Sequence, residues 1–383
     1  MTKDEFETLL IRGAFDVDPT VGALTPPIYQ TVTYKQFELG VEQKFDYSRS
    51  ANPTRAVLER RFALLEEGKF GFAFASGMAA ITSLIYLFGS GDEILVPSDL
   101  YGGTLRVLDA QFKNFGVTWR IADTTDIPSL ERAFSPNTKA IILETPTNPI
   151  LRVSDIAEVS RVAHAHGAIV ITDNTFLTPY FQRPLTFGAD IVVHSATKYI
   201  GGHNDALAGL VVVSDEELAE RILMIQKSIG GVLSPFDSYL LLRGLKTLAL
   251  RMDRETASAL AIAKHLSQHS GVDRVYYPGL ESDPGYELNS RQASGAGGLL
   301  SFDLGEKYDI KKFVSSLEFF TLAESLGSVE SMACHPATMS HASLSPEIRA
   351  SMGISDRLIR LAVGLEGLPS LINDLDRAFE AAK

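Results

Sequence analysis

Short apolar runs mark the middle of the chain, at 70–75, 93–96, 118–121, 140–143, 168–172, 191–194 and 210–213, and several are separated by helix-length stretches. Short, mostly apolar runs predict strands buried on both faces, with the intervening segments as the helices that cover them. One helix is well marked: Ser154 can cap it, Asp155 sits in its first turn, Ile156, Val159, Val162 and Ala163 form one face, and Gly167 ends it. The pattern predicts an α/β fold with a mostly parallel sheet, in which ligands gather at the carboxyl ends of the strands.

The flanks differ in texture. Residues 1–60 carry no sustained period, are broken by Pro26-Pro27 and Asn52-Pro53, and scatter aromatics (Tyr29, Tyr34, Phe37, Phe45, Tyr47). This reads as an extended arm that packs on a neighbouring subunit. The large domain then spans 61–245. A long helical stretch runs from Phe236 to about His269, followed by strand-like segments at 272–277, 299–304 and 358–363 and a closing helix with Leu371, Leu375 and Phe379 at helical spacing. Residues 246–383 are therefore expected to form a smaller C-terminal α/β domain.

Composition narrows the function classes. The 383 residues carry 35 basic and 47 acidic side chains, a formal charge of −12 with no basic cluster, which argues against nucleic acid. A single cysteine, Cys334, rules out an intramolecular disulfide and a multi-cysteine zinc site. The charged start Met1-Thr2-Lys3-Asp4-Glu5 and the lack of a long apolar run argue against a secretory signal and a membrane span, so a cytoplasmic location is expected. His203-Asn-Asp205 lacks a second ligand pair and is expected to shape a turn, so no metal site is expected. Cys334 and Trp119 are isolated fillers.

Four segments carry candidate chemistry. In Asp190-Ile-Val-Val-His-Ser-Ala-Thr-Lys198 a buried strand runs into Ser195, Thr197 and Lys198. Desolvation there lowers a lysine toward nucleophilic use, and the hydroxyls can bind an anion, though such a lysine alone is as readily a surface residue. In Ala168-Ile-Val-Ile-Thr-Asp173 an aspartate closes another strand, where it can pair with a cationic ring nitrogen or merely cap the next turn. Ser76-Gly77-Met78 turns a strand into an apolar helix whose first amides suit a phosphate, a weak signal by itself. Tyr101-Gly-Gly103 offers a ring to stack on a flat cofactor, or simply a tyrosine in a turn. A dinucleotide binder would need G-x-G-x-x-G after the first strand, which Ser76-Gly77-Met78-Ala-Ala does not supply.

Taken together, these segments resemble the cystathionine γ-synthase, γ-lyase, β-lyase and methionine γ-lyase family of fold-type I pyridoxal-phosphate enzymes. The matching runs include Tyr47-Ser-Arg-Ser-Ala-Asn-Pro-Thr54, Ala75-Ser-Gly-Met78, Glu144-Thr-Pro-Thr-Asn-Pro149, Asp173-Asn-Thr-Phe176, His194-Ser-Ala-Thr-Lys198, Ala323-Glu-Ser-Leu326 and Ile359-Arg-Leu-Ala-Val-Gly364. The resemblance implies an aminotransferase-like large domain with a mostly parallel seven-stranded sheet, pyridoxal 5'-phosphate held as a Schiff base on Lys198, and a homotetramer of dimers with shared sites. It implies that Asp173 holds the ring nitrogen, Tyr101 stacks on the ring, and Gly77, Met78, Ser195 and Thr197 bind the phosphate. Tyr47 and Arg49 would reach the phosphate of a neighbouring subunit, and Arg360, with Ser325 and Asn148, would hold the carboxylate of a small amino-acid substrate. Lys198 and Tyr101 would be catalytic.

Glu324 resembles the γ-acting members, where it would meet the distal ammonium of cystathionine, and Asp46 could add a second acidic contact. Gly103 stands where methionine γ-lyases have a cysteine. The implied activity is α,γ-elimination or γ-replacement on cystathionine and related sulfur amino acids, with β-elimination to homocysteine, pyruvate and ammonia as the alternative. A non-catalytic relative would not need Lys198, Asp173, Tyr101 and Arg360 together. Two positions depart from the family pattern: Ser328 and Ala51 replace common glycines.

Overall fold

The computed structural model describes residues 1–14, 17–18, 20–342 and 344–383. Its large sheet contains β1 (Phe70–Phe74), β2 (Glu93–Val96), β3 (Thr118–Ile121), β4 (Thr138–Glu144), β5 (Ile169–Asp173), β6 (Ile191–Ser195) and β7 (Gly209–Val213). The seven lie in the order β1-β7-β6-β5-β4-β2-β3. β7 runs antiparallel to both its neighbours, and every other pairing is parallel. The mostly parallel sheet expected from the apolar runs is therefore present, with its strands where those runs fall, though β3, expected to be buried, is an edge strand exposed at Thr118, Arg120 and Ile121.

Both faces are covered because alternate residues of a strand point to opposite sides. On β4, Ala140 and Ile142 join one core with the helix Gly77–Ile85, while Ile141 and Leu143 join another with the helix Ile156–Ala165. All five residues of β7 are buried. Each fully buried aliphatic side chain contributes about 1.5–3 kcal/mol, so the sheet is a rigid platform whose carboxyl edge can hold a site in fixed geometry.

The smaller sheet contains β8 (Val272–Tyr276), β9 (Leu299–Leu304), β10 (Thr321–Leu322), β11 (Met332–Cys334) and β12 (Leu358–Ala362), in the order β10-β11-β12-β9-β8. Its core packs against the helices Leu248–Gln268 and Leu368–Ala382, which bring Ile262, Leu371, Leu375 and Phe379 together. No helix among the described residues is long and apolar enough to cross a membrane.

The structure differs from the sequence reading in three places. The first sixty residues include a helix, Lys3–Arg12, started by a capping box in which Thr2 takes the Glu5 amide and Glu5 takes the Thr2 amide. A second helix, Pro53–Leu65, crosses the expected end of the arm. The cap of the helix Ile156–Ala165 is Asp155, whose side chain accepts from the Glu158 amide; Ser154 is buried against Thr124, with their hydroxyls 2.7 Å apart. The long helical stretch is two helices, Pro235–Leu245 and Leu248–Gln268. The buried Arg251 guanidinium explains the break: it donates to the carbonyl of Gly244 at 2.9 Å and to that of Tyr199 at 2.6 Å, so a tertiary partner satisfies the helix end.

Candidate active site

The carboxyl edge of the large sheet opens into a cavity of about 710 Å³, within the range of cofactor and substrate pockets. Three strand ends form its floor: Glu144 ends β4, Asp173 ends β5, and Ser195 ends β6 just before Lys198. Every candidate except Asp46, Tyr47 and Arg49 lines this cavity, including Tyr101, Gly77, Met78, Thr197, Arg360, Ser325, Asn148 and Glu324; Asp46 lines a separate pocket with Glu42 and Lys227.

The helix Gly77–Ile85 points its amino end into the cavity. Ser76 caps it through the Ala79 amide at 3.0 Å, which leaves the amides of Gly77 and Met78 for an anion. Glycine is required here by close approach: a Cβ at position 77 would lie 3.0 Å from both Cβ and Oγ of Ser195. The Thr197 hydroxyl is shared with the backbone of Ala208, accepting from its amide at 3.0 Å and donating to its carbonyl at 3.2 Å.

Asp173 accepts the Thr175 amide at 3.0 Å and the Thr175 hydroxyl on one oxygen, and Thr175 in turn accepts the Ser195 amide at 2.9 Å. Burial raises the Asp173 carboxyl, against the bonds from Thr175 and the nearby His194 ring. No lysine or arginine among the described residues forms an ion pair with it. Glu144, its partner in register on β4, is raised well above the usual range by burial and then by the Asp173 charge. Glu144 Oε2 accepts the amide of Tyr101 at 3.0 Å, tying the Tyr101 turn to the cavity floor.

Lys198 donates from Nζ to the Ser325 hydroxyl at 2.6 Å. Burial and then the Arg360 guanidinium push its amine down to about 8, while Glu324 opposes the shift. Ser325 holds a φ of 98°, a left-handed conformation that a serine adopts only under constraint. Its carbonyl accepts from Arg360 Nη2 at 2.8 Å, and Asn148 Oδ1 accepts from Nη1 at 2.9 Å. Arg360 reaches the cavity from the centre of the small sheet, is 3% exposed, and keeps its Nε buried with no partner.

Glu144 and Thr175 were not singled out in the sequence, since a strand-end carboxylate and a threonine in a turn also read as caps. Arg106 and Phe176 line the cavity as well. His203 serves its turn, its Nδ1 lying 2.8 Å from the Gly201 carbonyl oxygen. Ser328 is accounted for by contact: its hydroxyl lies between Asn204 and Glu330 and bonds both.

An amine lowered by burial, a buried carboxylate that lacks a cation, and an open helix amino end fit the aldehyde, ring nitrogen and phosphate of pyridoxal 5'-phosphate. The fold and cavity thus define a pyridoxal-phosphate-dependent enzyme of the aminotransferase-like class. The sequence profile of the Cys/Met metabolism PLP-dependent enzymes matches residues 7–380, and the chain belongs to that family. It is 50% identical over 374 residues to a cystathionine beta-lyase of Lactococcus lactis subsp. cremoris, covering 98% of each chain. It is 48% identical over 374 residues to a cystathionine gamma-lyase of Bacillus subtilis, covering 98% of this chain and 99% of the relative. The structure of cystathionine gamma-lyase from Lactobacillus plantarum complexed with L-serine superposes with a TM-score of 0.96 at 47% identity, covering 98% of this chain and 99% of that one. The chain is accordingly a pyridoxal-phosphate-dependent carbon–sulfur lyase with a small-molecule substrate.

Proposed function

We propose that the chain acts on cystathionine and related sulfur amino acids by α,γ-elimination or γ-replacement. The observation that carries this is the geometry around Lys198: its Nζ bonds the Ser325 hydroxyl at 2.6 Å, the Ser325 carbonyl accepts from Arg360, and Arg360 and Glu324 line the same cavity. Arg360 takes the substrate's α-carboxylate, with Asn148 and Ser325 fixing the guanidinium. Glu324 takes a distal ammonium, which cystathionine has and a simple cysteine derivative lacks.

Asp173 would hold the cofactor's ring nitrogen, Tyr101 would stack on the ring, and Gly77, Met78, Ser195 and Thr197 would take the phosphate. Bound pyridoxal phosphate supplies an electron sink for negative charge at the substrate's α-carbon. Lys198 would anchor the cofactor; once the substrate amine has displaced it, its free Nζ, lowered to about 8 chiefly by burial, would take the α-proton, pass that proton on to the cofactor's conjugated system, and only then take a β-proton when a γ-substituent is to leave. Tyr101, which lines the same cavity, would lie near the leaving sulfur.

Tyr47 and Arg49 complete the phosphate site of an adjacent subunit, in a cytoplasmic homotetramer built from dimers. Supporting this, Phe37 and Leu39 of the same arm are 85% and 99% exposed in the single chain. A second reading, β-elimination to homocysteine, pyruvate and ammonia, is favoured by the likeness to the Lactococcus β-lyase.

Incubation with pyridoxal phosphate and L-cystathionine, followed by identification of the keto acid, separates the two. 2-Oxobutyrate with cysteine supports γ-elimination and the role given to Glu324. Pyruvate with homocysteine overturns γ-elimination in favour of the β-lyase.

A further inference from the structure

Arg55, in the helix Pro53–Leu65, is 1% exposed, yet it does not line the active-site cavity. Its Nη1 donates to the Ser48 carbonyl at 2.8 Å, and its Nη2 to those of Ser50 at 3.2 Å and Arg49 at 3.5 Å. Its Nε lies 3.3 Å from Glu59 Oε1, which also accepts the Ala73 amide of β1 at 3.0 Å. One guanidinium therefore gathers the carbonyls of three consecutive residues and ties them, through Glu59, to the strand that leads into Ser76 and Gly77.

The gathered segment is a tight turn. The amides of Ser50 and Ala51 return to the Tyr47 carbonyl at 2.9 and 3.0 Å, and Asn52 Nδ2 donates to Ser48 Oγ at 3.1 Å. With its carbonyls drawn inward, the turn leaves Tyr47 41% exposed, with the Arg49 guanidinium 5.5 Å from the centre of its ring. A buried guanidinium is costly unless its donors are satisfied; here Nη1 and Nη2 are satisfied by a loop that adds nothing to the chain's own cavity, while Nε makes no hydrogen bond and has only the ion pair with Glu59. Such rigidity has a use where the loop is read by another molecule.

We propose that Arg55 is a positioning residue for the neighbouring subunit's active site, setting the turn so that Tyr47 and Arg49 meet the cofactor phosphate there. This rests on the reading of Tyr47 and Arg49 given above. Arginine suits the task because its planar fork has five donors in fixed directions, enough to reach three carbonyls while lying beside Glu59, where an ammonium is a compact point charge with three.

Complementation between subunits tests it. Differently tagged Arg55→Met and Lys198→Ala chains are co-expressed with pyridoxal phosphate, and the hybrid is isolated through both tags. The Arg55→Met homo-oligomer is expected to bind the cofactor more weakly, on the order of tenfold or more, as for a lost charge-assisted phosphate contact. Lys198→Ala is expected to be inactive. The hybrid recovers turnover several-fold above either parent, up to about half of wild type, because one of its paired sites joins an intact Lys198 to an intact arm.

A hybrid no more active than its parents, beside an Arg49→Ala and Lys198→Ala hybrid that does recover, shows that Arg55 acts only within its own chain and overturns the proposal. If both hybrids stay silent, sharing of sites itself fails, and the proposal falls with it. Wild-type cofactor affinity and turnover in Arg55→Met also overturn it. Should Arg55→Met not accumulate folded, Arg55→Lys takes its place in the same hybrid, with a smaller loss and the same recovery expected.

Discussion

Replacing Arg360 by lysine probes the substrate end of the site with the positive charge kept. The guanidinium has five N–H donors; it places one on Asn148 Oδ1 and one on the Ser325 carbonyl, and its Nε–H is buried without a partner. An orphaned buried donor costs about 1–3 kcal/mol, which an incoming carboxylate relieves by taking Nε–H together with a neighbouring Nη–H. Lysine has three donors. If two hold Asn148 and Ser325, only one is left for the substrate. The net loss is one charge-assisted hydrogen bond, about 1.5–3 kcal/mol, or roughly 10- to 150-fold in kcat/KM. The assay is steady-state kinetics with L-cystathionine, alongside the absorbance of the bound cofactor. Arg360→Lys should lose kcat/KM within that range and keep its cofactor. A variant within twofold of wild type would show that the unpartnered Nε has no role in binding the substrate carboxylate.

Gly77→Ala should weaken cofactor binding and destabilise the apoprotein by about 1–3 kcal/mol, because the new Cβ presses on Ser195 at 3.0 Å; cofactor titration and denaturant unfolding measure the two effects. The Lys198 amine, held at about 8 chiefly by burial, loses its proton as pH rises through that value. Uptake of pyridoxal phosphate by the apoprotein should therefore accelerate between about pH 7 and 9 and then level off, whereas an ordinary lysine keeps gaining reactivity to above about pH 10. Stopped-flow rates across that range decide between them.

Much of this architecture is written in the order of apolar residues. β4 to β7 are buried on both faces, so their runs stand out against any background, and the chemistry at their ends inherits a position from them. β10 and β11 left no such trace, being two and three residues long, with β10 exposed throughout. The Thr2–Glu5 capping box was present in the sequence but was hidden by the irregular stretch that follows it. The break before Leu248 depends on Arg251 reaching carbonyls that are local only in space, which no periodicity encodes.

In the site, Lys198 and Asp173 were visible because a strand leads into each. The coupling of Glu144 to Asp173 and the orphaned Nε of Arg360 required the register between β4 and β5 and the approach of the small domain. The contrast between Arg360, which faces the cavity, and Arg49, which does not, is likewise a matter of tertiary placement.

If Lys198 holds pyridoxal phosphate and carries the chemistry, its removal must abolish both. The direct measurement is the visible absorption of wild-type protein and Lys198→Ala after incubation with pyridoxal phosphate and gel filtration, followed by turnover of L-cystathionine. The wild type should elute yellow and active, and the variant should lose both the lysine-dependent band and turnover. A colourless wild type that takes up no cofactor, or a Lys198→Ala protein that keeps band and activity, would contradict the account.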